Sequence, residues 1–135
     1  MKREIKFRGK RINTRGWIYG GYIEWTDSKR NKRHQIVSAN GYHNDVIKET
    51  VGQFTGLTDK NGVEIYEGDI LRSGVLIKLV KWIDPESAFW VVDYDSGREM
   101  GVELPRFYLE KRTSEEYFSE VIGNIHDNPE LLRKK

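Results

Sequence analysis

Asp93 and Asp95 stand two residues apart, so on an extended strand they project from one face as the kind of carboxylate pair that moves a proton or holds a cation. With Ser96-Gly97 the segment partly resembles the start of a calcium loop. Its glycine comes one residue early, however, and no acidic residue closes the twelve-residue pattern, so a solvated turn explains it better. His34, His43 and His126 are scattered, without the i, i+4 pairing or the His-Glu-x-x-His arrangement of a metal helix. A metal or catalytic site would require these histidines to converge in space with Glu64, Asp93 or Asp95.

No serine occupies a Gly-x-Ser-x-Gly elbow, and the Gly16–Gly21 region has neither the lysine of a P-loop nor the spacing of a dinucleotide turn. Zero cysteines exclude a cysteine nucleophile, a thiolate zinc site and a disulfide scaffold. The residues thus point to a protein without catalytic, cofactor or metal chemistry. The strongest functional hint is basic: Lys29, Arg30, Lys32 and Arg33 follow a Trp- and Tyr-rich segment, and such cations meet phosphates while aromatic faces stack on unpaired bases. No RRM, KH or helix-turn-helix signature accompanies them. A charged, solubilising loop is the plainer reading of the four.

The elements that must carry these residues are strands. Arg3–Arg8 alternates charge with Ile5 and Phe7; Trp17, Ile18, Tyr19, Tyr22, Ile23 and Trp25 follow, with Gly20-Gly21 predicting a bend between two short strands. Thr26–Arg33 holds no apolar residue and reads as an exposed, mobile loop before a strand around Ile36 and Val37. A turn at Asn40-Gly41 precedes extended chain over 47–54, and Asn61-Gly62 predicts a tight two-residue hairpin turn. A second turn at Tyr66–Asp69 leads through Ile70-Leu71 to a long central strand over 75–83, and strands follow over 89–94, 100–104 and 120–125. Short helical segments are expected near the C-terminus, one opening at Thr113-Ser114 and one capped by Asn128 with Pro129 at its first position. The fold class is mainly β: a small antiparallel sheet or partly open barrel.

At 135 residues the chain has the size of one domain, spanning 1–135. Four Trp, seven Tyr and five Phe supply core volume and argue against disorder. Charge is uneven: residues 1–40 hold eleven Lys or Arg against three Asp or Glu, whereas residues 41–135 hold twelve against eighteen. Halves of opposite sign attract each other within a fold or between copies, and the basic half also attracts polyanions. No apolar run is long enough to span a bilayer and no signal-peptide centre is present, so a cytoplasmic protein without a membrane partner is expected.

The opening Arg3-Glu-Ile-Lys-Phe-Arg8, the block Val51–Asp69 and the ending Val121-Ile-Gly-Asn-Ile-His-Asp-Asn-Pro-Glu-Leu131 together resemble the YopX family of phage and prophage proteins. Where such relatives often show an aromatic-rich Ala-Trp-Asp sequence after the opening strand, this chain reads Gly9-Lys-Arg-Ile-Asn-Thr-Arg-Gly-Trp17. The resemblance implies a small β-rich protein of phage or prophage that self-associates, and it brings no catalytic residues. The expectation is a non-enzymatic binding or assembly module acting as a homo-oligomer in the host cytoplasm. Its alternative is a nucleic-acid-binding accessory factor using Lys29, Arg30, Lys32 and Arg33.

Overall fold

The computed structural model describes residues 4–73, 76–83, 88–93, 100–103 and 120–132, with the backbone alone for residues 73, 76, 90–93 and 100–103. Contacts divide the chain into two compact units, Met1–Gly56 and Leu57–Lys135. The expected mainly β fold is borne out, in the form of two antiparallel sheets rather than a closed barrel.

In the first unit the strands are β1 (Phe7–Lys10), β2 (Trp17–Thr26), β3 (Lys32–Val37), β4 (His43–Asp45) and β5, which begins at Gly52 and runs to Thr58. Their order is β4-β3-β2-β1-β5. The two strands expected around Gly20-Gly21 are one strand that changes partner there: Trp17 to Gly20 pair with β1, and Gly21 to Thr26 pair with β3. Gly20 permits this, because a Cβ at that position would lie 2.0 Å from the Val37 carbonyl oxygen. Ile36, Val46 and Phe54 are buried in this unit. A 3-10 turn at Lys48–Thr50, within the segment expected to be extended, buries Thr50, whose hydroxyl accepts from Lys10 N at 2.9 Å and donates to Ile47 O at 2.6 Å.

Three hairpin loops share one hydrogen-bond plan. The N–H of Asp27, Ser38 or Asp59 donates to the carbonyl four residues on, and the N–H three residues on donates back, all within 2.8–3.0 Å. The fourth position has positive φ in each: Arg30 at 66°, Gly41 at 86° and Gly62 at 80°. This is a three-residue hairpin loop ending in a left-handed residue. The two-residue turn expected at Asn61-Gly62 is therefore one residue longer, and the basic loop is shorter than expected. It closes at Asn31, so Lys32 and Arg33 belong to β3. Asp27 and Asp59 each turn one carboxylate oxygen back on two loop N–H groups at 2.8–2.9 Å, which compensates the backbone in the same way twice.

In the second unit β6 (Glu64–Tyr66), β7 (Asp69–Ser73), β8 (Leu76–Ile83), β9 (Ala88–Asp93), β10 (Met100–Glu103) and β11 (Glu120–Asn124) follow. The second sheet has the order β10-β9-β8-β7-β11, so the strand expected to be central is central. Apolar side chains cover both faces of β7 and β8. Leu71 and Val80 pack with Ile65 and Phe89, while Ile70 and Leu79, directly paired, pack with Ile77, Ile122, Ile125 and Leu132. Asn128 accepts from Asn124 N at 3.3 Å and begins the expected C-terminal helical segment, a single 3-10 turn at Pro129–Leu132. The helical segment expected at Thr113-Ser114 lies outside the described residues.

Candidate functional site

Because Lys32 and Arg33 are neighbours on a strand, alternation sends them to opposite faces of the first sheet. On one face Lys32 pairs with Glu24 at 2.9 Å. That hydrogen bond holds the Glu24 carboxyl below, and the Lys32 ammonium above, its ordinary range. Beside them the Tyr22 hydroxyl lies 2.8 Å from His34 Nδ1, the two rings stacked 6.3 Å apart. Burial first, then the Glu24 charge, pushes the Tyr22 hydroxyl up.

On the other face Arg33 Nη2 donates to both Asp45 oxygens, at 2.7 and 2.9 Å, and Nε donates at 3.2 Å. These bonds hold the Asp45 carboxyl below the usual range; burial opposes the effect, and a 3.2 Å bond from Gln35 assists it. Gln35 is itself buried and accepts from Trp25 Nε1 at 2.8 Å, while the Arg33 guanidinium sits 5.7 Å from the Trp25 ring centre. Further cations of the same parity line up along β1 and the residue before it: Arg8 and Lys10 over Trp17 at 4.6 and 5.7 Å, and Lys6 over Phe54 at 5.0 Å.

Next to the Arg33–Asp45 pair lies a half-open cavity of about 460 Å³ lined by Arg11, Ile12, Asn13, Arg33, His43, Asn44 and Asp45. Its wall is the turn after β1, closed by Arg11 N to Gly16 O at 2.9 Å and Arg15 N to Arg11 O at 3.0 Å. Ile12 N donates to Asp45 O at 3.1 Å and ties the turn to β4.

Of the four cations singled out in sequence, only Lys29 and Arg30 stay on the exposed loop tip, and neither forms an ion pair among the described residues. His34 and His43 fall on opposite faces of the sheet, by the register of β3 with β2 and β4. His126 belongs to the second unit, and Glu64 accepts from the Tyr66 hydroxyl at 3.3 Å. Asp95 and the Asp93 side chain lie outside the described residues. No group of three metal-ligating side chains occurs among the described residues. Sequence reasoning missed Arg11, Asn13, Asn44 and Asp45, because only hairpin register brings them to Arg33; the one local signal was the polar run His43-Asn44-Asp45 directly before the apolar pair Val46-Ile47.

These features define a small antiparallel β-protein whose first unit gathers cations, aromatic rings and a polar cavity onto paired strands. The chain belongs to the YopX protein family, whose profile matches residues 6–133, the atypical Gly9–Trp17 segment included. A crystal structure of protein EF1440 from Enterococcus faecalis is similar to it in fold, with a TM-score of 0.55 and 24% sequence identity over 98% of this chain and 100% of that one. No curated protein matches the chain. Among the described residues no helix is long and apolar enough to cross a membrane.

Proposed function

We propose that this chain is a non-enzymatic binding and assembly module of a phage or prophage, working in the host cytoplasm as a homo-oligomer. The observation that carries this reading is the first unit's surface. Ile5, Ile12, Tyr19, Trp25 and Tyr42 are all exposed there, Tyr42 to 70%, on a unit with twelve Lys or Arg against five Asp or Glu. Exposed aromatics beside charge are the composition of a protein interface. The remainder of the chain has eleven Lys or Arg against sixteen Asp or Glu, which supplies the complementary surface in a second copy. A binding role also suits the ionised groups: Asp45, held ionised by Arg33, is a weak proton acceptor, and catalysis gains little from it. Zero-length cross-linking of a mixture of isotope-labelled and unlabelled chains tests the reading. It should join lysines of residues 1–56 in one copy to carboxylates of residues 57–135 in another; mixed-isotope links absent at every salt concentration would refute it.

A second reading, contact with nucleic acid, is favoured by one specific observation, the half-exposed Lys6 and Lys10 set over aromatic rings on either side of the buried Arg8. It would add Lys29 and Arg30 from the loop tip to those two lysines. Reversing the charge of Lys29 and Arg30 should weaken oligonucleotide binding and flatten its salt dependence; unchanged binding removes that loop from the interface.

A further inference from the structure

We propose that the cavity between the Arg11–Gly16 turn and β4 is a binding site for a phosphate group carried on a nucleotide-sized body, with Arg11 as its principal anchor. The inference rests on the reading of this chain as a binding protein and names what this one site takes. Charge decides the sign of the ligand. Two guanidinium groups, Arg11 and Arg33, and one imidazole, His43, face a single carboxylate, Asp45, already engaged by Arg33 and Gln35. Arg11 forms no side-chain ion pair among the described residues, so its planar fork of donors is left for an oxyanion.

The remaining donors fit a phosphate better than a two-oxygen carboxylate. Asn13 accepts from Thr14 N through Oδ1 at 2.7 Å, which leaves its Nδ2 to donate. His43 meets Gln35 through Nδ1 at 3.4 Å, which leaves Nε2. Asn44 spends Nδ2 on Ile36 O and Tyr42 O and keeps Oδ1 as an acceptor, suited to a hydroxyl or amino group on the ligand's body. A volume of about 460 Å³ exceeds what a bare phosphate fills and falls in the range of small-molecule sites. Ile12, 59% exposed, gives that body an apolar contact. The walls are preformed, since backbone bonds close the turn on itself and fix it to β4, and little ordering is left for the ligand to impose.

The phosphate could belong to a free nucleotide or to the end of a nucleic acid strand, and the probes separate the two. The full chain, labelled with nitrogen-15, is titrated with inorganic phosphate, with AMP, and with oligothymidylate bearing or lacking a 5′-phosphate. Saturable shifts at residues 11–16 and 43–45 with AMP and phosphate, strongest with AMP, support the site and assign a free nucleotide. Shifts there requiring the 5′-phosphate of the oligonucleotide support the site and assign a strand end. Arg11→Gln, which keeps the stem and the turn's backbone bonds, should weaken either about tenfold or more. Arg11→Lys, which keeps the charge but not the planar fork, should restore part of the loss. Absence of saturable shifts at these residues with every probe to about 10 mM, or binding unchanged in Arg11→Gln, overturns the proposal. Either failure leaves the cross-linking result untouched, so the assembly role and the phosphate site fall separately.

Discussion

Arg33 binds the Asp45 carboxylate diagonally: the residue directly across from Asp45 in the β3–β4 register is Gln35, yet it is Arg33 that holds both carboxylate oxygens. The pair pins the edge strand β4 to its neighbour and forms one wall of the cavity.

Stability should therefore depend on acid in a way that Asp45→Asn removes. The folded Asp45 carboxyl titrates below its ordinary value, chiefly through the Arg33 hydrogen bonds, so its contribution is fully present above the unfolded value of about 3.9 and disappears as pH falls through the lower, folded one. Thermal melts of wild type and Asp45→Asn should differ by a constant few degrees above about pH 5, and the difference should shrink progressively as pH falls below the unfolded value of about 3.9. Partial exposure of both side chains keeps the difference small. A gap that stays constant down to pH 2 would contradict the assignment.

Gly20 and Gly21 are adjacent and chemically identical, but their surroundings are not. A methyl group at Gly20 collides with the Val37 carbonyl, while one at Gly21 meets nothing within 4 Å. Gly20→Ala should destabilise by about 3 kcal/mol or more in chemical denaturation, and Gly21→Ala by less than about 1 kcal/mol. Equal effects would mean that β2 does not switch partners at Gly20.

Asp59 carries more than its counterpart Asp27. Besides the two loop N–H groups, its second oxygen accepts from Val121 N at 2.9 Å, and the residue is only 5% exposed. Asp59→Ala leaves three donors without their acceptor and should cost about 3 kcal/mol, against about 1 kcal/mol for Asp27→Ala. Hydrogen exchange should show Val121 deprotected in the first variant alone.

Arg30 occupies the left-handed slot that glycine fills in the two sister loops. Arg30→Gly should raise stability by up to about 1 kcal/mol, whereas Gly62→Ala should lower it by about 1 kcal/mol. A destabilised Arg30→Gly would show that the arginine side chain compensates for its backbone.

The alternation of strands and turns was legible because its causes are local: apolar positions at period two, glycine in the left-handed slots and Asn128-Pro129 before the last turn. Lys32 and Arg33 read as loop because no apolar residue marks where β3 begins; their strand positions are compensated by Glu24 and Asp45, partners lying outside that segment. The cavity was illegible for the same reason. Arg11, Arg33 and Asp45 carry no shared motif, and only the pairing of three strands and one turn sets them side by side.

Sedimentation of the full chain across a salt series tests the assembly role most directly. If basic and acidic surfaces of separate copies hold the oligomer, at low ionic strength the chain should sediment as a dimer or larger species and dissociate toward its 15.9 kDa monomer as screening shortens the reach of charge. A monomer at every salt concentration and at up to roughly 100 µM protein, a range in which even weak specific contacts are populated, would contradict it.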